Sequence, residues 1–303
     1  MKILITGSNG LLGQKLVPLL LEKDMTVVAS GKGSDRTSIL HEAYQYTSLD
    51  ITNEEEVNAA FEKHKPDVVV NTAAMTNVDQ CESEKAECRR LNVDAVRFIT
   101  QACEKHNCFL VHLSTDFIFD GKQGPYLEDG QPNPISFYGQ SKLDAEEIIQ
   151  QSTVKWSILR TVLVYGVVPN MSRSNIILWV KDSLQNNKNI KVVTDQWRTP
   201  TLAEDLAMGC YLVATKKSEG VYNISGKDML TPYDMAIKTA SYFGLDQSLI
   251  ARADSSTFSQ PAKRPAKTGF VIDKAINQLG FHPHSFDEGI AIVDRQIKAA
   301  QKV

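Results

Sequence analysis

Three glycines near the amino terminus restrict what this chain can fold into. In Gly7-Ser8-Asn9-Gly10-Leu11-Leu12-Gly13 they are spaced G-x-x-G-x-x-G, directly after an apolar run at residues 3–5. A helical pattern over Leu11–Glu22 begins inside the motif. Glycines at such positions permit a tight turn and let backbone N–H groups approach a pyrophosphate, while the helix N-terminus contributes about half a positive charge. Gly13 lets the helix pack closely on a sheet. The glycine pattern alone is weak, but placed between a strand and a helix it points to dinucleotide binding. The competing reading is a plain turn into a structural helix.

The rest of the first half continues the same rhythm. Short, nearly all-apolar runs recur at residues 26–29, 67–71, 109–113 and 156–159. Runs of this kind suit strands buried on both faces. Helical patterns lie between them at 53–63, 84–106 and 136–151, the first opening with a capping-box signature at Thr52-Asn53-Glu54-Glu55. Strand and helix in alternation predict parallel strands with right-handed crossovers, and therefore a doubly wound, Rossmann-type α/β sheet. After about residue 160 the rhythm loosens. Loops lengthen at 167–173, 195–202 and 255–269, with helical patterns at 174–185, 202–214, 232–243 and 286–300. The expected organisation is a dinucleotide-binding domain over 1–164 and a smaller C-terminal substrate-binding domain over 165–303, interwoven with late elements of the main sheet.

Charge and cysteine usage exclude several classes. A net charge of −3 with no long basic run argues against nucleic acid or an anionic membrane as partner. No apolar stretch approaches the roughly 20 residues needed to span a bilayer, and the first apolar run is too short for a signal peptide. Five cysteines without a C-x-x-C pair predict free thiols in a reducing cytoplasm.

The cofactor's identity turns on the end of the second strand. An NAD site usually places an acid about 20 residues past the glycine loop, on the ribose 2′-hydroxyl. Here Ala29-Ser30-Gly31-Lys32-Gly33 has no acid until Asp35, whereas Lys32 and Arg36 can meet a 2′-phosphate. NADP(H) is therefore favoured over NAD(H), against the alternative that both cations are solvated loop charges. Asp50, followed by Ile51, either hydrogen-bonds the adenine amino group or only starts the turn before Thr52.

A second motif carries chemistry. Of the nine tyrosines, Tyr138 has a lysine four residues on, Lys142. Positions i and i+4 share a helix face. A cation about 4 Å from a phenol is worth about 4 kcal/mol at an effective dielectric near 20, or about 3 pH units. The spacing thus predicts a phenol tuned toward neutral pH, able to protonate a carbonyl oxygen while hydride reaches the carbon. Leu113-Ser114-Thr115-Asp116 ends a strand on the carboxyl edge of the sheet, where Thr115 can hydrogen-bond the same carbonyl.

Glycine loop, Thr115, Tyr138 and Lys142 together resemble the extended short-chain dehydrogenase/reductases and, within them, the dTDP-4-dehydrorhamnose reductase family. The matching stretches are Asn71-Thr72-Ala73-Ala74-Met75-Thr76-Asn77-Val78-Asp79, Ser114-Thr115-Asp116-Phe117-Ile118-Phe119-Asp120-Gly121 and Gly124-Pro125-Tyr126-Leu127-Glu128. Leu159-Arg160-Thr161, Tyr165-Gly166, Asp195-Gln196 with Thr199-Pro200-Thr201, and Arg264-Pro265 follow in the family's order. The resemblance implies a cofactor lying over Gly7–Gly13 and past Ala73 and Ala74 to Tyr138 and Lys142. It implies hydride delivery to the 4-keto carbon of a deoxysugar on a nucleoside diphosphate. Tyr138 would then be the acid, Lys142 would lower its pKa and bind ribose, and Thr115 would polarise the carbonyl. Substrate contacts are expected from Thr76, Asp116, Tyr126, Glu128, Trp197, Arg198 and Arg264, the two arginines as candidates for the diphosphate.

The chain also departs from the family pattern. Met75 replaces a common tyrosine, Trp197-Arg198 interrupts D-Q-x-G-x-P-T, and Thr268 and Phe270 replace a serine and a leucine. No acid cluster compels a magnesium ion, which some members need at a subunit contact; a homodimer is an allowed assembly. A dehydratase would show T-D-E where Phe117 follows Thr115-Asp116. An epimerase would want added bases, and Cys108 and His112 are not obviously aimed at the site. The remaining alternative is a non-catalytic dinucleotide-binding subunit like the β subunit of methionine adenosyltransferase.

Overall fold

The structure is a computed structural model that describes residues 1–37, 39–169, 171 and 174–300, the last without its side chain. The strands are β1 (Lys2–Thr6), β2 (Thr26–Gly31), β3 (Tyr44–Ser48), β4 (Val68–Asn71), β5 (Phe109–Thr115), β6 (Trp156–Thr161), β7 (Val164–Tyr165), β8 (Ile190–Val193), β9 (Thr201–Leu202), β10 (Gly220–Asn223) and β11 (Ile250–Ala253). The helices are α1 (Leu11–Glu22), α2 (Glu54–His64), α3 (Val78–Ser83), α4 (Lys85–Arg89), α5 (Ala95–His106), α6 (Phe137–Gln150), α7 (Ile176–Gln185), α8 (Ala203–Lys216), α9 (Pro232–Phe243) and α10 (Phe286–Ala300).

Seven strands form one sheet in the order β10-β6-β5-β4-β1-β2-β3. Every pairing in it is parallel. The central strands are buried on both faces, which is why their sequences read as unbroken apolar runs. One face packs against Leu16, Val17 and Leu20 of α1 and Leu206, Cys210 and Val213 of α8. The other packs against Val57 and Phe61 of α2, Val96 and Ile99 of α5, and Ala145 and Ile149 of α6. Strand order reverses between β1 and β4, so the crevice outside their carboxyl ends is where such a sheet holds a ligand.

The later elements make two smaller apolar clusters. Ile177 of α7, Met235 of α9 and Phe286, Ile290 and Val293 of α10 form one, around Tyr165. Val180 and Leu184 of α7, Ala236 and Ala240 of α9, Ile190 and Val192 of β8, and Ile250 of β11 form the other. β10 returns to the main sheet beside β6.

Three local expectations need correction. The cap of α2 is Asn53, whose side chain accepts from the N–H groups of Glu55 and Glu56; Thr52 instead donates to Asp50. The pattern over 84–106 is not one regular helix. It runs as α4, a π turn at Arg90–Asp94 and α5, with α3 folded ahead of it. β3 has no counterpart among the apolar runs, because it is a half-exposed edge strand of sequence Tyr-Gln-Tyr-Thr-Ser. Of the long loop expected over 167–173, residues 170, 172 and 173 lie outside the described residues.

Candidate active site

The glycine loop has the shape its sequence requires. Gly7, directly after β1, sits at φ +70, a left-handed conformation that a side chain would strain. A Cβ there would also stand 2.9 Å from Ala73 Cα, and one on Gly13 would lie 2.4 Å from Ser8 Cα. Gly10 is the N-cap of α1, and its N–H donates to the Gly7 carbonyl at 2.9 Å. Leu11 and Leu12 form the half-buried first turn. The buried Ser8 hydroxyl has no hydrogen-bond partner among the described residues. Asn9 braces the segment after β2: its amide donates to the Ser34 carbonyl at 2.9 Å and its oxygen accepts from the Arg36 N–H at 2.9 Å.

Beside this loop lies a cavity of about 200 Å³ lined by Gly7, Gly31, Lys32, Asp50, Ile51 and Ala73, with Arg90 on its wall. Loop, cavity and orphaned Ser8 hydroxyl together fit the nucleotide end of a dinucleotide. Ala74 is half-buried in the segment after β4. Lys32 reaches across the rim to Asp50 at 2.8 Å while remaining 78% exposed. That lysine, with Thr52, holds the Asp50 carboxyl down to about 2. Asp50 therefore both starts the turn and faces the cavity. Asp35 is engaged elsewhere, by the Tyr44 hydroxyl at 2.6 Å and by Thr37.

The second cluster stands on the same carboxyl edge. Thr115 ends β5, and Tyr138 and Lys142 occupy successive turns of α6, whose start is fixed by Ser136 accepting from the Gly139 N–H. Gly139 is obligatory here because a Cβ would fall 2.1 Å from the Phe117 carbonyl oxygen. Tyr138 is 8% exposed and packs with Met75, Cys81 and Cys88. Burial pushes its phenol upward, opposed by a hydrogen bond with Thr115. Burial therefore works against the tuning toward neutral pH expected of this phenol. Lys142 donates to the Leu113 carbonyl at 2.6 Å and approaches His112 Nε2 at 3.0 Å. Burial lowers its ammonium to about 8, against the opposing pull of Glu146 and Cys88.

Thr115 is oriented in turn. Its hydroxyl donates to Asp116 Oδ1 at 3.1 Å, and Asp116 also accepts from Thr268. Asp116 is buried, and burial raises its carboxyl despite Arg198, whose Nε lies 3.8 Å away. Arg198 was expected to be a candidate ligand for the diphosphate. It is instead buried, donating to the carbonyls of Trp197, Pro265 and Ala266. The arginine that interrupts the motif therefore ties the 195–202 segment to the 264–268 segment beneath Thr115.

The remaining predicted substrate residues separate into two sets. Tyr126 stacks on Phe119 at 4.0 Å between centroids and donates to Asp120, and Glu128 accepts from the Asn223 N–H, so both brace the framework. Arg264 pairs with Asp79 at 2.7 Å, fastening the last loop to α3. Thr76 is exposed at the end of the 72–76 segment, and Trp197 is 40% exposed. Four groups to which the sequence reading assigned no role in the site stand around it. Arg160 and Glu146 form a buried ion pair at 2.7 Å behind Ser114. Asn92, in the π turn, clamps Met75 through both its N–H and its carbonyl. The thiols of Cys81 and Cys88 lie against Tyr138, with Cys88 lowered to about 7 by Cys81 and by other donors. His112, read from the sequence as not obviously aimed at the site, is corrected: its Nε2 touches Lys142. Among the described residues no group of three or more His, Cys, Asp or Glu side chains could hold a metal ion, and no helix is long and apolar enough to cross a membrane.

Known proteins resemble this arrangement over its whole length. A dTDP-4-dehydrorhamnose reductase of Aggregatibacter actinomycetemcomitans is 30% identical over 301 residues, covering 95% of this chain and 97% of its own. The methionine adenosyltransferase 2 subunit beta of Xenopus laevis is 30% identical over 252 residues, covering 82% of this chain and 73% of its own. The solved structure of a dTDP-4-dehydrorhamnose reductase from Bacillus anthracis in complex with NADP superimposes with a TM-score of 0.83 at 25% identity, covering 97% of this chain and 99% of that one. The sequence pattern of the RmlD substrate-binding domain family matches residues 1–298, and the chain belongs to that family.

Proposed function

We propose that this protein is an NADPH-dependent reductase of the 4-keto group of a nucleotide-linked deoxysugar; its relative from Aggregatibacter actinomycetemcomitans is named a dTDP-4-dehydrorhamnose reductase. The observation that carries the reading is the buried trio Thr115, Tyr138 and Lys142, set on the same sheet edge as a glycine loop that no side chain could replace. A bound reduced nicotinamide supplies hydride to the carbonyl carbon.

The protein's own groups handle the proton. Burial keeps the Tyr138 phenol protonated, so it holds a proton for the carbonyl oxygen and withholds it from water. Asp116 fixes the Thr115 side chain beside the phenol. After donation the phenolate is an anion in a dry site, where the Lys142 ammonium, one turn further along α6, would offset its cost. An acid that starts protonated suits reduction. Trp197 offers an exposed flat face to a base or sugar.

Two observations support a preference for NADPH. Lys32 stands on the cavity rim, and Asp35, the nearest acid after β2, is engaged by Tyr44 and Thr37 rather than available to a ribose hydroxyl. The five cysteines are all free and buried, which supports the reading of a reducing compartment. The test is to mix the protein with NADPH and a dTDP-4-keto-6-deoxysugar and follow loss of reduced-nicotinamide absorbance. Turnover supports the proposal. Cofactor binding without turnover across a panel of keto sugars refutes it, and favours a non-catalytic subunit, the Xenopus laevis relative being named a methionine adenosyltransferase subunit.

A further inference from the structure

His112 lies in the middle of β5 and is 1% exposed. It completes a row of polar side chains across three neighbouring strands. Thr6 of β1 is in register with Asn71 of β4, and Asn71 with His112 of β5. Side chain follows side chain: Thr6 Oγ1 to Asn71 Oδ1 at 2.6 Å, Asn71 Nδ2 to His112 Nδ1 at 3.1 Å, His112 Nε2 to Lys142 Nζ at 3.0 Å. Each of these four residues is buried. Three buried polar side chains in a row are costly unless every one is satisfied; here they are satisfied by one another, by the lysine and, at Thr6, by the Ala73 N–H at 3.4 Å.

The row is polarised by what Lys142 carries. A neutral imidazole has one donor and one acceptor nitrogen. An ammonium can only donate, so His112 Nε2 must then accept and Nδ1 must hold the proton. The Asn71 carboxamide must in that case turn its oxygen to the ring and its nitrogen to Thr6. With the carboxamide nitrogen facing the ring, Nδ1 accepts, Nε2 holds the proton, and only a neutral amine satisfies it. The two amide orientations occupy the same space, so both arrangements are available to the same framework. Burial and the neighbouring ammonium hold His112 well below its usual range, so the imidazole itself stays neutral.

We infer that His112 is a positioning residue for Lys142: its Nε2, together with the Leu113 carbonyl, aims and retains the lysine amine, and the Asn71 carboxamide, turned with its oxygen to the ring when the lysine is charged, selects the imidazole tautomer. The inference rests on the reductase reading for its catalytic meaning, but the contact itself does not. Besides His112, the titratable groups whose charge acts on the lysine are Glu146 on its own helix and Cys88 on α4.

The experiment follows the Lys142 ¹³Cε chemical shift across pH in the whole protein, beside the pH profile of kcat/KM. His112→Phe removes the acceptor and His112→Gln keeps one. Loss of a charge-assisted hydrogen bond moves the lysine midpoint down from about 8, by about one pH unit. The alkaline limb of kcat/KM should move with it, and the glutamine variant should stay close to wild type. If the phenylalanine variant does not fold, His112→Met takes its place in the comparison. An unmoved midpoint in His112→Phe or His112→Met, or an equal shift in His112→Gln, overturns the inference. A shifted midpoint in a protein that reduces no keto sugar supports the contact and refutes only the reductase reading.

Discussion

Lys142→Met should change the pH dependence of folding in a calculable way. The lysine is 2% exposed, and burial lowers its ammonium from 10.5 to about 8. Above pH 10.5 both folded and unfolded chains carry the neutral amine, and burial of this group has no electrostatic cost. Between pH 10.5 and about 8 the unfolded chain takes up a proton that the folded chain does not, so stability falls as pH falls. Below about 8 both are protonated and the full penalty is present. At about 1.4 kcal/mol per pH unit, the window corresponds to about 3 kcal/mol. The methionine variant has no such proton to gain. Its hydrogen bonds to Leu113 and His112 are also lost, but that loss offsets both ends of the curve and leaves the pH-dependent part intact. Urea titrations of wild type and Lys142→Met at pH 7 to 10.5 should show wild type gaining about 3 kcal/mol on the variant as pH rises. Curves that stay parallel refute the claim that the site holds this amine at the cost of stability.

Other perturbations address the rest of the site. Gly13→Ala puts a methyl 2.4 Å from Ser8 Cα and 2.6 Å from the Gly7 carbonyl oxygen, backbone that must move. NADPH affinity, read by nucleotide fluorescence, should drop at least about tenfold with about 1–3 kcal/mol of stability lost; wild-type affinity would contradict the cradle. Replacing Lys32 and Arg36 by alanine should weaken NADPH more than NADH, and equal losses would refute a 2′-phosphate contact. The exposed Lys32–Asp50 pair should contribute little to melting temperature in that variant. Arg160→Met leaves Glu146 charged and buried, and should destabilise the fold by about 3–5 kcal/mol in denaturant titrations; adding Glu146→Leu should recover much of that loss. No recovery would mean that Arg160 acts mainly through the Glu128 carbonyl and the Phe119 ring.

Much of this architecture was legible in the sequence because two kinds of signal are local. A strand covered on both faces must be apolar throughout, so β1, β2, β4, β5 and β6 announce themselves. The glycine loop, the Tyr138–Lys142 spacing and the end of β5 are likewise contained in a few adjacent residues. β3 escaped because an edge strand faces water and carries polar side chains at alternate positions. The fate of Arg198 escaped for another reason: its partners Pro265 and Ala266 are 67 and 68 residues away. The row from Thr6 through Asn71 to His112 depends on register between strands, which no single segment encodes. The direction of the Tyr138 shift also needed three dimensions. Helical spacing brings the lysine close, but burial and the competing pull of Leu113 and His112 decide the balance.

The account stands or falls on one transferable proton. Steady-state turnover of NADPH with a dTDP-4-keto-6-deoxysugar, measured side by side for the wild type and Tyr138→Phe together with NADPH affinity, examines it without intermediaries. The phenylalanine variant should bind cofactor nearly as well and lose at least about a hundredfold in kcat, as expected when a general acid is removed. A variant that turns over at the wild-type rate would show that the proton comes from elsewhere, and the assignment of the site would be wrong.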